Sequence, residues 1–244
     1  MTHPVPQYGF RALISHEYGP TILLIQSGIG PNKARKNTGQ LFADASWDLI
    51  ISTGFAGDLE TSLIGSVLIG EEVVWDKGIA PHVSSTSQSI VCHPDWVKFA
   101  LGINWKEENP LRTGKFVSVD RVLTTSDDKH QMRVDSGAVG VDMESAAIGE
   151  VAQEHGAPFL IIRAISDGAY EDLPVDFNLF LRPFGWMTGI MQILRTPKSW
   201  KGFLHLYQHS ELASRQLTRY FQDFCFSISG LSLSPNSLVR GPNL

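Results

Sequence analysis

Short apolar runs that end in glycine recur along the chain and predict its strands. "TILLIQS" leads into "GIG", "WDLIIST" leads into Gly54 and Gly57, and "FLIIRAI" leads into Ser-Asp-Gly at residues 166–168. Continuous apolar runs without alternation are typical of strands that are buried on both faces of a sheet. A helix is expected after the first of these runs, because Pro31 lies where the first turn of a helix tolerates proline best.

The polar and apolar positions between these runs predict the remaining elements. "YGFRALIS" and "TILLIQS" flank the turn signal Gly19-Pro20 and predict a hairpin. "SVLIGEEVVWDKG" and "GKFVSVDRV" are further predicted strands, and residues 84–88 are expected to form a loop. Helices are predicted at "HPDWVKFALG", at residues 127–134 and in the alanine-rich stretch that ends at Gly156. Strands that alternate with helices indicate a three-layer α/β fold, with a mostly parallel or mixed central sheet flanked by helices.

The C-terminal part of the chain differs in character from the rest. Residues 181–226 are predicted to be helical and carry many large apolar side chains, with Pro197 between two helical pieces. We expect residues 1–230 to form a single domain with an apolar helical C-terminal region, 182–226, followed by a disordered tail, 231–244. The apolar side chains favour packing on the sheet or a homo-oligomer interface. The alternatives are that they form the apolar wall of a binding site for a hydrophobic substrate, or a surface patch that faces a membrane.

Composition and charge exclude several classes of protein. The 244 residues are 43% hydrophobic and 18% charged, with a net charge of −5 and no basic run, so a nucleic-acid surface is not expected. The sequence has no signal-peptide pattern and no apolar stretch long enough for a membrane span, and we expect a cytoplasmic protein. Cys92 and Cys225 are expected to be free thiols. No metal site is expected, because no histidine shows a convincing ligand spacing.

Two carboxylates lie where they could take part in chemistry. Glu144 precedes Ala147, Ile148 and Val151 at helical spacing, so its side chain should face the interior, where a carboxylate is costly unless something binds it. Asp167 ends a predicted buried strand, at the sheet edge where α/β folds bind ligands. Each residue taken singly also has a structural interpretation. The helix dipole favours glutamate in a first turn, and aspartate in a Ser-Asp-Gly turn bonds its own backbone or caps a helix.

The stretch "VDMESAAIGEVAQEHGAPFLIIRAISDGA" at residues 141–169 resembles the signature of the nucleoside phosphorylase and nucleosidase superfamily, in particular the methylthioadenosine/adenosylhomocysteine nucleosidases. "SGIG", "IISTGFAGDL" and "VSVDRVLT" follow in the order of that family, and the resemblance covers roughly residues 9–169. The apolar C-terminal region is similar to the hopanoid-associated phosphorylases, a branch linked to adenosylhopane. The resemblance implies a homo-oligomeric enzyme that releases adenine from a purine nucleoside, without a cofactor, by hydrolysis or by phosphorolysis with phosphate as co-substrate.

The resemblance also implies roles for individual residues. Glu144 would accept hydrogen bonds from the ribose 2′- and 3′-hydroxyls, and Asp167 would protonate or hydrogen-bond the purine N7 as the bond breaks. These roles suit the chemistry, because cleavage leaves positive charge on the ribose and negative charge on the base. Asp167 can donate a proton at neutral pH only if burial or a neighbouring charge favours its protonated form. The expected substrate-binding residues are Met143, Val122, Leu123, Phe55, Ala56 and Ser166.

The chain departs from the family pattern at two points. Members begin with a strand several tens of residues ahead of the hairpin, but here the hairpin starts near Tyr8, so we expect the first strand and the water-activating glutamate to be missing. The phosphorylases hold phosphate with arginine and serine near the second glycine loop, where this chain has Ser52 and Phe55. Arg121 and Arg163 could replace them, although Arg163 within a strand favours a structural ion pair. The alternatives to an enzyme are a non-catalytic nucleoside-binding protein and an assembly subunit.

Overall fold

The computed structural model describes residues 3–4, 11–16, 20–76, 89–173 and 197–232. The strands are β1 (His3–Pro4), β2 (Ala12–Ser15), β3 (Ile22–Ile25), β4 (Ile50–Asp58), β5 (Val67–Asp76), β6 (Ile90–Val91), β7 (Arg112–Val119), β8 (Gly140–Asp142) and β9 (Phe159–Asp167). The helices are α1 (Pro31–Asp44), α2 (Pro94–Leu101), α3 (Ser126–Ser136), α4 (Ser145–Glu154) and α5 (Pro197–Ser232). The predicted loop at residues 84–88, residues 182–196 and residues 233–244 lie outside the described residues. The division into one domain and a tail stays a prediction.

Two sheets organise the described strands. The predicted hairpin forms β2 and β3, which pair with β1 in a small antiparallel sheet. The large sheet has the order β6-β5-β7-β8-β4-β9, and β5 also pairs with β9, so five of its strands close into a ring. Its pairings are parallel in β4–β9, β5–β7 and β7–β8, and antiparallel in β4–β8, β5–β6 and β5–β9. The central sheet is therefore mixed, which is one of the two expected arrangements.

A glycine in β5 lets the ring close. The pairing of β5 with β7 shifts register between Gly70 and Glu72, and the pairing with β9 ends at Gly70. A Cβ atom on Gly70 would lie 2.7 Å from Cβ of Ile161 and 3.2 Å from the ring of Phe116. Any larger residue would push these buried neighbours apart, so glycine is required where β5 changes partner.

Strand β9 lies between two apolar layers, as the three-layer prediction requires. Ile161 and Ile165 belong to a cluster with Ala146 and Ala152 of α4. On the other face, Leu160 and Ile162 belong to a cluster that α2 and α5 complete, because alternate side chains of a strand point to opposite faces. Helix α5 contributes the buried residues Ala213, Tyr220 and Phe224. The described part of the C-terminal region therefore packs on the sheet, which was the first of its expected alternatives.

None of the helices in the described part of the chain is both long and apolar enough to cross a lipid bilayer. On α5, the longest of them, Tyr207 and Phe226 are exposed large side chains.

The end of β4 differs from the prediction. The strand does not stop at Gly54 but continues through Gly57 to Asp58. Gly54 has a φ of 144°, and a Cβ atom there would lie 3.0 Å from Nη1 of Arg163. A Cβ atom on Gly57 would lie 3.1 Å from a carboxylate oxygen of Asp167. The two glycines therefore make room for buried charged groups of the neighbouring strand, which is a different use from ending a strand.

Candidate active site

A cleft of about 200 Å³ lies where β4, β7, β8 and β9 end. The eight residues predicted to form the site all line it: Glu144, Asp167, Met143, Val122, Leu123, Phe55, Ala56 and Ser166. Other lining residues are Gly57, Val119, Arg121, Val141, Asp142 and Leu173. These chain segments meet at one cleft, although β4 and β8 run antiparallel, so their carboxyl ends do not share one edge of the sheet. The roles of the individual residues remain proposals.

Glu144 immediately precedes α4 and is largely buried, with 16% of its side chain exposed. Its Oε1 accepts a hydrogen bond of 2.9 Å from the N–H of Gly30, the N-cap residue of α1. Its Oε2 lies 3.7 Å from the guanidinium of Arg163. Burial raises the pKa of Glu144 and is the largest effect, while Arg163 and the Gly30 N–H act in the opposite direction. The protein thus compensates part of the cost of burying this carboxylate, and its remaining lone pairs are available to a ligand.

Behind Glu144, Arg163 forms a buried ion pair with Asp142 at 2.9 Å. The guanidinium also donates hydrogen bonds to Oγ of Ser52 at 3.0 Å and to the carbonyl of Phe55 at 3.1 Å. Asp142 accepts a further hydrogen bond from Oγ of Ser118 at 2.5 Å. The expectation that Arg163 is a structural ion-pair partner is confirmed. Because its two terminal nitrogens are engaged by protein groups, Arg163 is not a free anion-binding group.

Asp167 is held by a lysine that sequence reasoning missed. Nζ of Lys129, on α3, lies 2.7 Å from Oδ2 of Asp167, and the lysine side chain is 1% exposed. The same Nζ donates hydrogen bonds to the carbonyls of Gly168 at 2.8 Å and Glu171 at 3.1 Å, so all three of its N–H groups have partners. Ser166 donates to Oδ1 of Asp167 at 3.0 Å.

The predicted acid therefore has a buried ammonium group as its direct neighbour. A signal for Lys129 was present in the sequence. Lys129, Met132 and Ser136 are the buried residues of α3 and follow the i, i+3, i+7 spacing of one helix face.

The opposite wall of the cleft is apolar and is tied to the loop after Asp167. Leu123 is buried and Val122 is half-buried, and both follow β7. The N–H of Leu173 donates a hydrogen bond of 2.8 Å to the carbonyl of Thr124, which holds the segment 168–173 beside this wall. Phe55, with 42% of its surface exposed, is the exposed aromatic residue of the cleft. A cleft lined by both apolar side chains and carboxylates suits a flat apolar base attached to a polar sugar.

The chain is similar in sequence to two nucleosidases. The methylthioadenosine/S-adenosylhomocysteine nucleosidase of Haemophilus influenzae (strain PittEE) is 30% identical to this chain over 175 residues, which cover 67% of this chain and 75% of the relative. The enzyme of the same name from Actinobacillus succinogenes has the same identity and coverage.

Solved structures agree in fold. The methylthioadenosine/S-adenosylhomocysteine nucleosidase of Neisseria meningitidis, in complex with methylthio-immucillin-A, superposes with a TM-score of 0.72 at 23% identity, covering 93% of this chain and 90% of that one. The S-adenosylhomocysteine nucleosidase of Streptococcus pyogenes, in complex with 5-methylthiotubericidin, gives a TM-score of 0.70 at 20% identity, covering 93% and 87%. The family model described as the phosphorylase superfamily matches residues 2–182. This chain therefore belongs to the phosphorylase superfamily.

Proposed function

We propose that this protein is a purine nucleosidase that hydrolyses the N-glycosidic bond of a 5′-substituted adenosine and releases adenine. Cleavage of a purine nucleoside is the expected activity, and the nucleosidase relatives support it. The observation that carries the proposal is that Glu144 and Asp167, which come from different elements, line one cleft together with apolar residues. Neither the family nor these relatives indicates a cofactor-binding protein, in agreement with the expectation of a reaction without a cofactor.

In the proposed complex, Glu144 recognises the ribose. Its Oε1 is held by the N–H of Gly30, so the carboxylate is already oriented before a ligand arrives. Two adjacent hydroxyls are donors that suit one carboxylate, and hydrogen bonds to a charged acceptor are stronger than neutral ones. The same negative charge stabilises the positive charge that the sugar acquires as the bond to the base breaks.

Asp167 acts at the base in this proposal. As the glycosidic bond breaks, its electron pair moves into the purine, and a proton delivered to N7 neutralises the charge. Asp167 would deliver that proton, after which its carboxylate would be left facing the ammonium of Lys129 at 2.7 Å. Lys129 therefore stabilises the state of Asp167 that follows proton transfer. The water that attacks the sugar loses one proton to the solvent, and Asp167 takes one up from the solvent before the next turnover, so the overall reaction is proton-neutral.

The nucleosidase relatives favour water over phosphate as the nucleophile. With Asp167 in the protonated form that the mechanism requires, the carboxylates of Glu144 and Asp142 balance the cations Arg163 and Lys129. Each of these two cations is paired with a carboxyl group of the protein, at 2.9 Å for Arg163 and Asp142 and at 2.7 Å for Lys129 and Asp167. Arg163 is held by protein groups, which leaves the exposed Arg121 as the candidate for an anion at the rim.

The proposal extends to the 5′ substituent and to the location of the protein. An apolar 5′ substituent is proposed because the two structural relatives bind methylthio compounds and because Phe55 is an exposed aromatic in the cleft. Action on adenosylhopane, homo-oligomerisation and contact with a membrane stay predictions. A cytoplasmic location is proposed from Cys92 and Cys225, which are both free thiols. Burial raises the pKa of the Cys92 thiol to about 12, so that thiol is expected to be unreactive.

An adenine-release assay on 5′-methylthioadenosine tests the proposal. The full chain should release adenine in the absence of phosphate, and Asp167→Asn should reduce the rate by about 10²–10⁴-fold, the usual contribution of general acid catalysis. Asp223→Asn, on an exposed position of α5, is the matched control and should retain full activity. Full activity of Asp167→Asn would overturn the proposed mechanism. Binding of the nucleoside in calorimetry without any release of adenine would instead favour a non-catalytic binding protein.

A further inference from the structure

Beside the cleft, two histidines and a glutamate form a cluster that the proposed reaction does not use. His205 and His209 lie one turn apart on α5, with ring centroids 4.0 Å apart. Glu171 belongs to the segment after β9, and its Oε2 lies 3.7 Å from Nδ1 of His209. One ligand atom from each of the three residues lies within 4.8 Å of the others. The three side chains are therefore close enough to share one small ion.

We propose that Glu171, His205 and His209 form a binding site for a divalent transition metal ion, with Zn²⁺ as the ion of choice. Two histidines at i and i+4 on a helix, joined by a carboxylate from another element, are a donor set that zinc takes readily. Tetrahedral bonds of about 2.0–2.1 Å place the ligands of zinc roughly 3.4 Å apart. The observed 3.7 Å between Glu171 and His209 is already close to that separation.

The surroundings of the cluster suit a site that is filled from solvent. The side chain of Glu171 is 44% exposed and that of His209 is 16% exposed, so an ion can reach them without opening the core. Oε2 of Glu171 has one further contact, a long hydrogen bond of 3.4 Å from the N–H of Gly168. Oxygen-preferring ions such as Mg²⁺ are disfavoured, because two of the three donors are imidazole nitrogens.

A metal ion at this position would connect α5 to the wall of the active site. The carbonyls of Gly168 and Glu171 hold Nζ of Lys129, and Leu173, from the same segment, lines the cleft. An ion bound to Glu171 and to two residues of α5 would therefore restrain this segment. Zinc binding at this position, and its effect on the stability of the protein, do not depend on the proposed reaction.

No metal site was expected from the sequence, and this cluster departs from that expectation. Glu171 is 34 residues before His205 in the chain, so their spacing does not indicate that they lie together. The four-residue spacing of His205 and His209 was visible, but it becomes a site only because α5 packs against the segment after β9.

Zinc titration of the full, untagged chain tests the site after the protein has been stripped with EDTA and dialysed. Calorimetry should show one Zn²⁺ bound per chain, and saturating Zn²⁺ should raise the Tm, because a ligand that binds only the folded state stabilises it. Mg²⁺ at the same concentrations should leave the Tm unchanged. The variants His209→Ala and Glu171→Gln should each weaken zinc binding at least 100-fold.

His130→Ala is the matched control, since His130 is exposed on a different helix, and it should bind Zn²⁺ like the parent chain. Circular dichroism of the metal-free variants establishes that they are folded, so a loss of binding is not a loss of structure. Absence of saturable zinc binding by the parent chain would overturn the proposal. Equal zinc affinity of the parent chain, His209→Ala and Glu171→Gln would overturn it as well, because the ion would then bind elsewhere.

Discussion

The substitution Glu144→Gln separates ligand recognition from folding more cleanly than any other change at this site. The amide has the shape of the carboxylate and can still accept the hydrogen bond from Gly30, while Arg163 keeps its ion pair with Asp142. What is lost is the negative charge facing the cleft. A hydrogen bond to a charged group contributes about 1.5–3 kcal/mol, against about 0.5–1.5 kcal/mol for a neutral one.

Two ribose hydroxyls that bond Glu144 would therefore lose about 2–3 kcal/mol between them, which corresponds to roughly 30- to 150-fold in kcat/KM. The thermal stability of the ligand-free variant should not fall together with its activity. Burial raises the pKa of Glu144 above its ordinary value, so its contribution to stability is present at acid pH and is lost as the pH rises through that raised pKa. At neutral pH the parent chain buries an ionised carboxylate at this position, and the uncharged amide of Glu144→Gln removes the cost of that burial. The Tm of the ligand-free variant should therefore equal or exceed that of the parent chain.

The assay combines adenine release from 5′-methylthioadenosine with thermal denaturation of the ligand-free proteins at pH 7. Glu154→Gln is the matched control, because Glu154 lies on the exposed part of α4 in a surface ion pair with Arg35. This control should change neither the rate of adenine release nor the Tm measurably, since surface ion pairs contribute little to stability. Parallel losses of Tm and activity in Glu144→Gln would refute the reasoning, because Glu144 would then be a structural residue.

Three further predictions follow from named contacts. Affinity for an adenosine ligand, measured by calorimetry, should fall on acidification at a pH above the ordinary 4.5 of glutamate as Glu144 takes up a proton, whereas a 2′,3′-dideoxy analogue should be insensitive. In steady-state kinetics, Lys129→Met should lower kcat far more than it raises KM, and the loss of kcat should be comparable to that of Asp167→Asn. Lys129→Arg should retain part of the rate. A change in KM alone would contradict the role of Lys129. Gly149→Ala should lower the free energy of unfolding by about 1–3 kcal/mol in urea titrations, because a Cβ there would lie 2.7 Å from the ring of Phe159; an unchanged midpoint would contradict the packing.

Much of the candidate site could be predicted because its residues follow strands or precede a helix. Glu144 had buried positions after it at helical spacing, and Asp167 ended a wholly apolar strand. Both patterns arise from burial, because buried positions near Glu144 and Asp167 appear in the sequence as apolar residues at helical or strand spacing. The family resemblance then supplied roles that the spacing alone did not.

The parts that were missed depend on contacts between distant segments. Gly54 and Gly57 suggested the end of a strand, but their function is to admit the side chains of Arg163 and Asp167 from the neighbouring strand. The pairing of β5 with β9 could not be deduced, because β5 also pairs with β6 and β7 and therefore has three partner strands. Lys129 was overlooked because a lysine is normally exposed, and only its partner on β9 explains its burial.

The most direct test of the central claim is to identify both products formed from 5′-methylthioadenosine in a buffer that contains phosphate. The account predicts adenine and the free 5-methylthioribose in equal amounts, at a rate that does not depend on phosphate concentration and that is lost in Asp167→Asn. Formation of the sugar 1-phosphate would contradict hydrolysis, and failure of the parent chain to release adenine under these conditions would contradict the proposed activity itself.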